Sequence, residues 1–201
     1  MRIYGNRLLK TLSGQATRPT TARVREALFN IWQGTITDCQ WLDLCAGNGS
    51  MGAEALCRGA TYVVGVEKSA RACTIIRENW QPLASESQQF QVLRGDVLQL
   101  LKSLAGERFS HIYFDPPYQS KLYQPVLEAI AHYQILTPTG ELAVEHNPQF
   151  WQATDIANLV ICRQKKYSRT TLTFYHLENC CHAEQNTRNY KKHANNISKS
   201  N

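Results

Sequence analysis

The sequence predicts a single α/β domain in which helices cover both faces of a mostly parallel β-sheet. The chain has 201 residues, 43% of them hydrophobic, which suits one domain with a core on each side of a sheet. Residues 41–44 form an apolar segment that enters a glycine-rich corner and then a short helix. A second apolar segment, residues 61–67, follows that helix and completes a β-α-β unit, the building block of parallel sheets.

The N-terminal region, residues 1–33, is basic. Residues 1–14 place three cations among apolar side chains, which predicts a short strand or an extended arm. Thr20 or Thr21 can cap a helix that continues to Trp32 with apolar residues at helical spacing. Three arginines gather at the start of this helix, where an anion such as phosphate would relieve their repulsion by the helix dipole; a solvated helix tip is the alternative.

The later elements follow from apolar periodicity and turn residues. Helices are predicted at residues 51–59, closed by Gly59, and at residues 69–80 and 122–133. Strands are predicted at residues 91–97, 110–114 and 140–146, with two more, antiparallel at the sheet edge, at residues 159–162 and 170–176.

The C-terminal segment is rich in Asn, His, Lys and Ser, which predicts a disordered polar and basic tail at residues 178–201. The domain is therefore expected to span residues 1–177. Cys180, Cys181 and His182 are candidate metal ligands, but no second ligand pair accompanies them and no metal is expected.

Cysteine usage and hydropathy indicate the compartment. The chain has seven cysteines and no C-x-x-C pair, which favours reduced thiols over a disulfide framework. No apolar run approaches the roughly 18 residues that span a bilayer, and the N-terminus lacks the apolar middle of a signal peptide. We expect a cytoplasmic protein without a membrane partner.

Charge is segregated along the chain. Residues 1–31 hold six Lys and Arg against one acid, residues 163–201 hold eight against two, and residues 32–162 hold eight against thirteen. Basic ends and an acidic middle suit a polyanion held by the ends while a central site binds a smaller, partly cationic ligand. A solvated basic surface without a partner is the alternative.

The glycine-rich corner has the spacing G-x-G-x-x-G at Gly47, Gly49 and Gly52. Glycine there permits a tight turn, close approach of a ligand to the backbone, and packing of helix on strand. The triplet predicts a nucleotide-like ligand, although an ordinary glycine turn would show the same spacing.

Two acids follow at the ends of predicted strands. Glu67 ends the strand about twenty residues beyond the glycine corner, where a carboxylate can accept hydrogen bonds from ribose hydroxyls. Asp96 ends the next strand and can accept a hydrogen bond from an adenine amino group, although Gly-Asp is also common in turns. A nicotinamide dehydrogenase and an S-adenosylmethionine-dependent methyltransferase both fit this pattern.

The tetrad Asp115-Pro116-Pro117-Tyr118 separates these two classes. The exocyclic amine of a nucleobase is a poor nucleophile, because its lone pair is delocalised into the ring. The Asp115 carboxylate and the Pro116 carbonyl can each accept an amino hydrogen and stabilise the charge that develops during methyl transfer. The ring of Tyr118 can stack on a flipped base. A stiff turn after a strand is the alternative.

These motifs resemble a known family. The tetrad resembles the signature of methyltransferases that act on amino nitrogens, and residues 43–52 resemble their cofactor motif. Residues 18–30 are similar to the opening of the RsmD family, which methylates the exocyclic amine of one guanine in small-subunit ribosomal RNA. The resemblance covers about residues 1–176. It implies a Rossmann-like class I methyltransferase fold, with a seven-stranded mostly parallel sheet, an antiparallel edge strand and helices on both faces.

The resemblance also implies the ligands and their sites. The cofactor is S-adenosylmethionine without a metal, and the partner is small-subunit ribosomal RNA, free or within an assembling particle, bound by a monomer. The implied catalytic residues are Asp115, Pro116, Pro117 and Tyr118. The implied cofactor residues are Asp43, Ala46, Gly47, Asn48, Gly49, Gly52, Glu67, Lys68, Asp96 and Val97.

RNA contacts are expected from both basic regions. Residues 163–169 are predicted to connect the last two strands and gather four cations around one tyrosine, a pattern that suits an RNA backbone. A solvated hairpin is the alternative. The expected RNA-contacting residues are Arg18, Thr20, Arg23, Arg25, Lys165, Lys166, Tyr167 and Arg169.

Two departures from the family pattern bear on substrate positioning. Ala22 stands where relatives carry an acid or glycine, and Ser168 stands where glycine is usual. Alternatives to guanine methylation are methylation of adenine N6 in DNA or RNA, methylation of a protein glutamine, and a catalytically silent RNA-binding module. The tetrad alone does not distinguish guanine from adenine.

Overall fold

A computed structural model describes residues 1–11 and 22–178 of the chain. The N-terminal arm is a small hairpin of two strands, β1 (Arg2–Ile3) and β2 (Arg7–Leu8), joined by a 3₁₀ turn at Tyr4–Asn6. The predicted disordered tail, apart from residue 178, and the predicted caps Thr20 and Thr21 lie outside the described residues.

The remaining elements alternate between helix and strand, and α4 is the one described helix that the sequence analysis did not predict. The helices are α1 (Ala22–Ile31), α2 (Ser50–Cys57), α3 (Ala70–Trp80), α4 (Val97–Ser103) and α5 (Tyr123–His132). The strands are β3 (Gln40–Leu44), β4 (Tyr62–Glu67), β5 (Gln89–Arg94), β6 (Phe109–Phe114), β7 (Leu136–His146), β8 (Leu159–Tyr167) and β9 (Thr170–Leu177).

Strands β3 to β9 form a seven-stranded sheet in the order β5-β4-β3-β6-β7-β9-β8. The first five strands in this order are parallel, whereas β9 is antiparallel to both β7 and β8. This arrangement confirms the predicted Rossmann-like fold with antiparallel pairing at one edge. The chain enters the sheet at its centre, so the carboxyl ends of β3 and its neighbours share one edge, where such folds bind ligands.

Hydrophobic side chains alternate between two cores because successive strand residues point to opposite faces. Trp41 packs with α1, α2 and α3 on one face, and Leu42 packs with α4 and α5 on the other. Both cores contain side chains with essentially no exposed surface. Within the described residues, no helix is long and apolar enough to cross a membrane.

Several predicted element boundaries were wrong, and the strand predicted at residues 140–146 begins at Leu136. The strand predicted at residues 91–97 ends at Arg94, because the Asp96 side chain accepts a hydrogen bond from the Leu98 N–H at 3.0 Å and caps helix α4. The connection predicted at residues 163–169 is strand up to Tyr167, since β8 pairs continuously with β9 as far as Tyr167 and Thr170. Only Ser168 and Arg169 turn, and Ser168 has φ of 56°, which explains why glycine is usual there.

Candidate active site

A cavity of about 810 Å³ lies at the carboxyl ends of the parallel strands. The glycine-rich corner and the tetrad both line it, because β3 and β6 are neighbours in the sheet. The Asp115 N–H donates to the Leu44 carbonyl oxygen at 3.4 Å, which joins the two segments directly. The predicted residues that line the cavity are Asp43, Ala46, Gly47, Asn48, Glu67, Lys68, Asp96, Val97, Asp115, Pro116, Pro117 and Tyr118.

The carboxylate of Glu67 holds the glycine-rich corner in shape. One oxygen accepts a hydrogen bond from the Gly47 N–H at 2.9 Å, and the other accepts from the Ser69 N–H at 2.8 Å. Gly47 has φ of 58°, a left-handed conformation that favours glycine. Glu67 is half-buried and lines the cavity, so the side chain that fixes the turn also faces a ligand.

Gly49 and Gly52, which were predicted as cofactor contacts, are not among the residues that line the cavity. Both pack against the indole of Trp80, whose ring N–H donates to the Gly49 carbonyl oxygen at 2.7 Å. A Cβ atom on Gly52 would lie 2.2 Å from Trp80 Cζ2. These two glycines therefore allow α2 to approach α3 closely and contribute to the corner indirectly.

Asp43 stabilises the glycine-rich corner through a hydrogen bond to the start of α2. It is buried, and one of its carboxylate oxygens accepts a hydrogen bond from the Gly52 N–H at 3.1 Å. Burial is the main cause that raises the pKa of Asp43 from 3.8 to about 7, with a smaller contribution from the nearby Glu67 charge. The side chain is thus placed to link β3 to α2 while one face borders the cavity.

The cavity is strongly acidic. Burial raises the pKa of the Cys45 thiol, and the carboxylates of Glu67, Asp115, Asp43 and Asp96 add to this effect in that order, which shows that four acids converge around one side chain. Lys68 is the only Lys or Arg among the described residues that line the cavity. The negative electrostatic potential of these acids favours a ligand with positive charge.

Asp96 and Val97, which follow β5 after Gly95, have dual roles. Asp96 is exposed and caps helix α4, and Val97 is the buried first residue of that helix. Both line the cavity. The cap uses one oxygen of the Asp96 carboxylate, and a carboxylate has about four acceptor sites. The predicted adenine contact is therefore compatible with the cap.

The tetrad forms a stiff turn whose residues differ in exposure. Pro116 is buried, Asp115 and Tyr118 are half-buried, and Pro117 is exposed. The Ser120 N–H donates to the Pro117 carbonyl oxygen at 2.8 Å and closes the turn. The Tyr118 hydroxyl lies 2.8 Å from Thr170 Oγ1, which ties the tetrad to the first residue of β9.

Glu145 is a site residue that the sequence analysis did not single out. It lies at the end of β7, is buried and lines the cavity. Its carboxylate accepts hydrogen bonds from the hydroxyls of Tyr113 at 2.5 Å and Tyr118 at 3.1 Å. The sequence signal was the one used for Glu67, a carboxylate at the end of an apolar strand. Phe150, also unpredicted, lines the cavity with 51% of its surface exposed.

The N-terminal cations separate into two kinds. Arg23 is exposed on α1, as an RNA contact requires. Arg25 is buried and corrects the prediction, because its guanidinium pairs with Glu54 of α2 at 3.1 Å and donates to the Arg2 carbonyl oxygen at 2.8 Å. It lies on the face of α1 that packs against the domain, so it docks the helix. Arg18 and Thr20 lie outside the described residues.

The C-terminal cations lie on the edge strand and its turn. Lys165 and Lys166 are exposed on β8, Arg169 is exposed in the turn, and Tyr167 is half-buried. Thr170 follows this turn directly and is buried. The predicted RNA-contacting hairpin therefore connects to Tyr118 through the hydrogen bond between the Tyr118 and Thr170 hydroxyls.

Three side chains on β7, β8 and β9 could supply metal ligands away from the cavity. One ligand atom each from Glu141, Cys162 and His176 lies within 4.8 Å of the others. However, both oxygens of Glu141 accept hydrogen bonds from Arg163 Nη2, at 2.6 and 2.8 Å. Since a guanidinium already neutralises this carboxylate, the cluster is explained as an ion pair.

Comparison with known proteins agrees with this geometry. The family model described as Conserved hypothetical protein 95 matches residues 1–176. The chain is 32% identical over 171 residues to YlbH of Bacillus subtilis, a candidate rRNA methyltransferase, covering 84% of this chain and 92% of that protein. It is 31% identical over 144 residues to ribosomal RNA small subunit methyltransferase D of Haemophilus influenzae, covering 71% of this chain and 75% of that protein.

The fold has solved counterparts. The structure of yhhF from Escherichia coli, a candidate methyltransferase, has a TM-score of 0.78 and 28% identity, and the match covers 89% of this chain and 98% of that one. Both the glycine-rich corner and the tetrad fall within the matched family region. The chain therefore belongs to the Conserved hypothetical protein 95 family, which is the RsmD family of rRNA methyltransferases.

Proposed function

We propose that this protein transfers a methyl group from S-adenosylmethionine to the exocyclic N2 of a guanine in small-subunit ribosomal RNA. The observation that supports this most is that one cavity joins the glycine-rich corner to Asp115 and Tyr118. A methyl donor bound at the glycine-rich corner would lie beside a nucleobase held by the tetrad. The name of the Haemophilus influenzae relative supports the small-subunit substrate.

The donor-side residues fit S-adenosylmethionine, whose sulfonium supplies an electrophilic methyl group when bound. The sulfonium is cationic, and the converging carboxylates around Cys45 give the cavity the opposite charge. Glu67 borders the cavity where ribose hydroxyls can donate to it, and Asp96 lies where an adenine amino group can. Gly47 lets the ligand approach the backbone.

The acceptor-side residues fit an amino group on a base. The Asp115 carboxylate and the Pro116 carbonyl would accept the two amino hydrogens and orient the nitrogen lone pair towards the methyl group. The nitrogen gains a methyl group and loses one proton, for which the Asp115 carboxylate is the adjacent acceptor. Tyr118 would stack on the base, and its hydrogen bonds to Glu145 and Thr170 hold the ring in place.

The exposed cations complete the substrate site in this proposal. Arg23, Lys165, Lys166 and Arg169 would contact RNA phosphates. Arg18, Thr20 and Tyr167 are further proposed contacts. We propose a cytoplasmic monomer, with residues 1–177 as its one domain, that acts on free RNA or on an assembling small subunit.

Methyl transfer to defined acceptors tests this function. The purified protein would be incubated with methyl-labelled S-adenosylmethionine and either small-subunit RNA, small-subunit particles or duplex DNA. We expect label in the RNA or the particles, recovered as N2-methylguanosine after digestion. Label in DNA, or recovery as N6-methyladenosine, would replace the proposal with adenine methylation.

A further inference from the structure

Glu145 is the cross-strand neighbour of the tetrad aspartate. Phe114, the last residue of β6, pairs in register with Val144 of β7, so the residues that follow them, Asp115 and Glu145, occupy neighbouring positions on the two chain segments. Neighbouring strands are about 4.8 Å apart. Both side chains line the same cavity. The backbone therefore brings these two acids to neighbouring positions on the cavity wall, where the target base is proposed to bind.

The Glu145 carboxylate is held in a fixed position by its partners. Its two oxygens accept one hydroxyl each, from Tyr113 and Tyr118. The side chain is 4% exposed and is still part of the cavity wall.

Adjacent carboxylates match one nucleobase edge. In guanine, the ring N1–H lies beside the exocyclic amine, so this edge presents two neighbouring kinds of donor. Adenine and cytosine instead have an unprotonated ring nitrogen beside the amine, and this acceptor would face the carboxylate unfavourably. A second carboxylate next to Asp115 would thus accept from guanine and repel the other two.

We propose that Glu145 is a specificity-determining residue that accepts the N1–H of the target guanine while Asp115 and Pro116 accept from its amine. This inference rests on the proposed function and extends it to the choice of base. The tetrad supplies the chemistry common to amino groups, and Glu145 supplies the selection among bases.

The test uses 2-aminopurine, which keeps the amine of guanine but has no proton on N1. The guanine modified by the wild-type protein is first located in small-subunit RNA by mass spectrometry. That RNA is then rebuilt by ligation with either guanosine or 2-aminopurine riboside at this position. We expect wild-type kcat/KM to be about a hundredfold higher for guanosine, because a hydrogen bond to a charged group is lost. Equal rates would overturn the inference.

Two variants separate base selection from a role in holding the tyrosines. Glu145→Gln can donate to the unprotonated N1 of 2-aminopurine, so we expect the preference for guanosine to fall towards unity. Tyr113→Phe removes one hydrogen-bond donor of Glu145 but keeps the carboxylate, so it should retain the preference. If Glu145→Gln lowers both rates by the same factor, the residue only positions Tyr118 and the inference is wrong.

2-Aminopurine also lacks the carbonyl oxygen at C6 of guanine, so a variant is needed to assign the preference to Glu145. If Glu145→Gln does not fold, which its circular dichroism would reveal, Glu145→Ala takes its place and should likewise bring the preference towards unity. Failure of the proposed function is distinct from failure of this inference. In the first case the wild-type protein labels no guanine in small-subunit RNA. In the second it labels guanine and 2-aminopurine equally well.

Discussion

The Glu67 carboxylate lies 2.9 Å from the Gly47 backbone nitrogen and fixes the turn over which the methyl donor is proposed to bind. The other oxygen accepts from the backbone N–H of Ser69, whose own hydroxyl caps α3, so one side chain connects the glycine-rich corner to the start of that helix. The geometry of the glycine-rich corner thus depends on an acid twenty residues later in the chain.

Glu67→Ala should weaken binding of S-adenosylmethionine. The substitution removes both the support of the turn and the proposed acceptor for ribose, and loss of a hydrogen bond to a charged group costs about 1.5–3 kcal/mol. We expect Kd to rise about 10- to 100-fold in isothermal titration calorimetry. Glu128→Ala, which changes an exposed acid on α5, is the matched control and should leave Kd unchanged.

Asp115→Asn should slow methyl transfer without weakening the binding of the methyl donor. An amide accepts hydrogen bonds less strongly than a carboxylate and does not take up the amine proton. Loss of one such stabilising group typically costs about 10²- to 10³-fold in turnover. Single-turnover rates on small-subunit RNA measure this effect, and calorimetry checks the donor affinity. A variant with the wild-type rate would remove Asp115 from its assigned role.

Gly52→Ala should destabilise the fold through Trp80. The new methyl group would lie 2.2 Å from the indole, so a backbone or side-chain shift is required, at a typical cost of about 1–3 kcal/mol. Urea denaturation measures the change. In the Trp80→Leu background the same substitution should cost clearly less, because the obstructing ring is absent. Equal costs in both backgrounds would contradict the packing role.

Asp43 should give the unfolding free energy a characteristic pH dependence. Its pKa is 3.8 ordinarily and about 7 when folded, so between these pH values the folded state binds the additional proton. Stability from this group therefore falls as pH rises from about 4 to 7. Asp43→Asn should remove this slope in denaturant titrations of the ligand-free protein.

His111 should give the unfolding free energy a pH dependence of the opposite sign. Burial lowers its pKa from 6.5 to about 4, so the unfolded state binds more protons between these values. Its contribution to stability falls as pH drops from about 6.5 to 4, and His111→Phe should remove that loss. If both variants shift the pH profile in the same direction, the assignment of the two groups is wrong.

RNA affinity should depend on salt through the exposed cations of β8. Replacing Lys165 and Lys166 with alanine would remove two proposed phosphate contacts, so the slope of log K against log salt should decrease by roughly 0.7–0.9 per contact. Filter binding to small-subunit RNA between low and moderate salt measures the slope. Lys102→Ala on α4 is the control. A double variant with an unchanged slope would exclude this strand from the RNA interface.

The sequence predicted those parts of the site whose signals are local. The glycine-rich corner, Glu67 and the tetrad each follow an apolar strand, and strands of this fold end at one edge. Their convergence on one cavity therefore follows from the β-α-β pattern. The antiparallel edge was likewise predicted from two short apolar segments.

Other features depend on residues distant in sequence and could not be predicted. Arg25 is buried because Glu54, 29 residues later, provides its partner, whereas its position beside other arginines indicated a solvent-facing contact. The packing of Gly52 becomes apparent only when Trp80 is placed beside it. Glu145 carried a strand-end signal like that of Glu67, but its hydrogen bonds to Tyr113 and Tyr118 become apparent only in the fold.

Nucleoside mass spectrometry of ribosomal RNA tests the central claim most directly. Small-subunit RNA would be extracted and digested from three kinds of cell. The first carries the gene, the second lacks it, and the third lacks it but expresses the Asp115→Asn variant. We predict that one N2-methylguanosine is present in the first sample and missing or strongly reduced in the other two. Identical N2-methylguanosine content in all three samples would contradict the account.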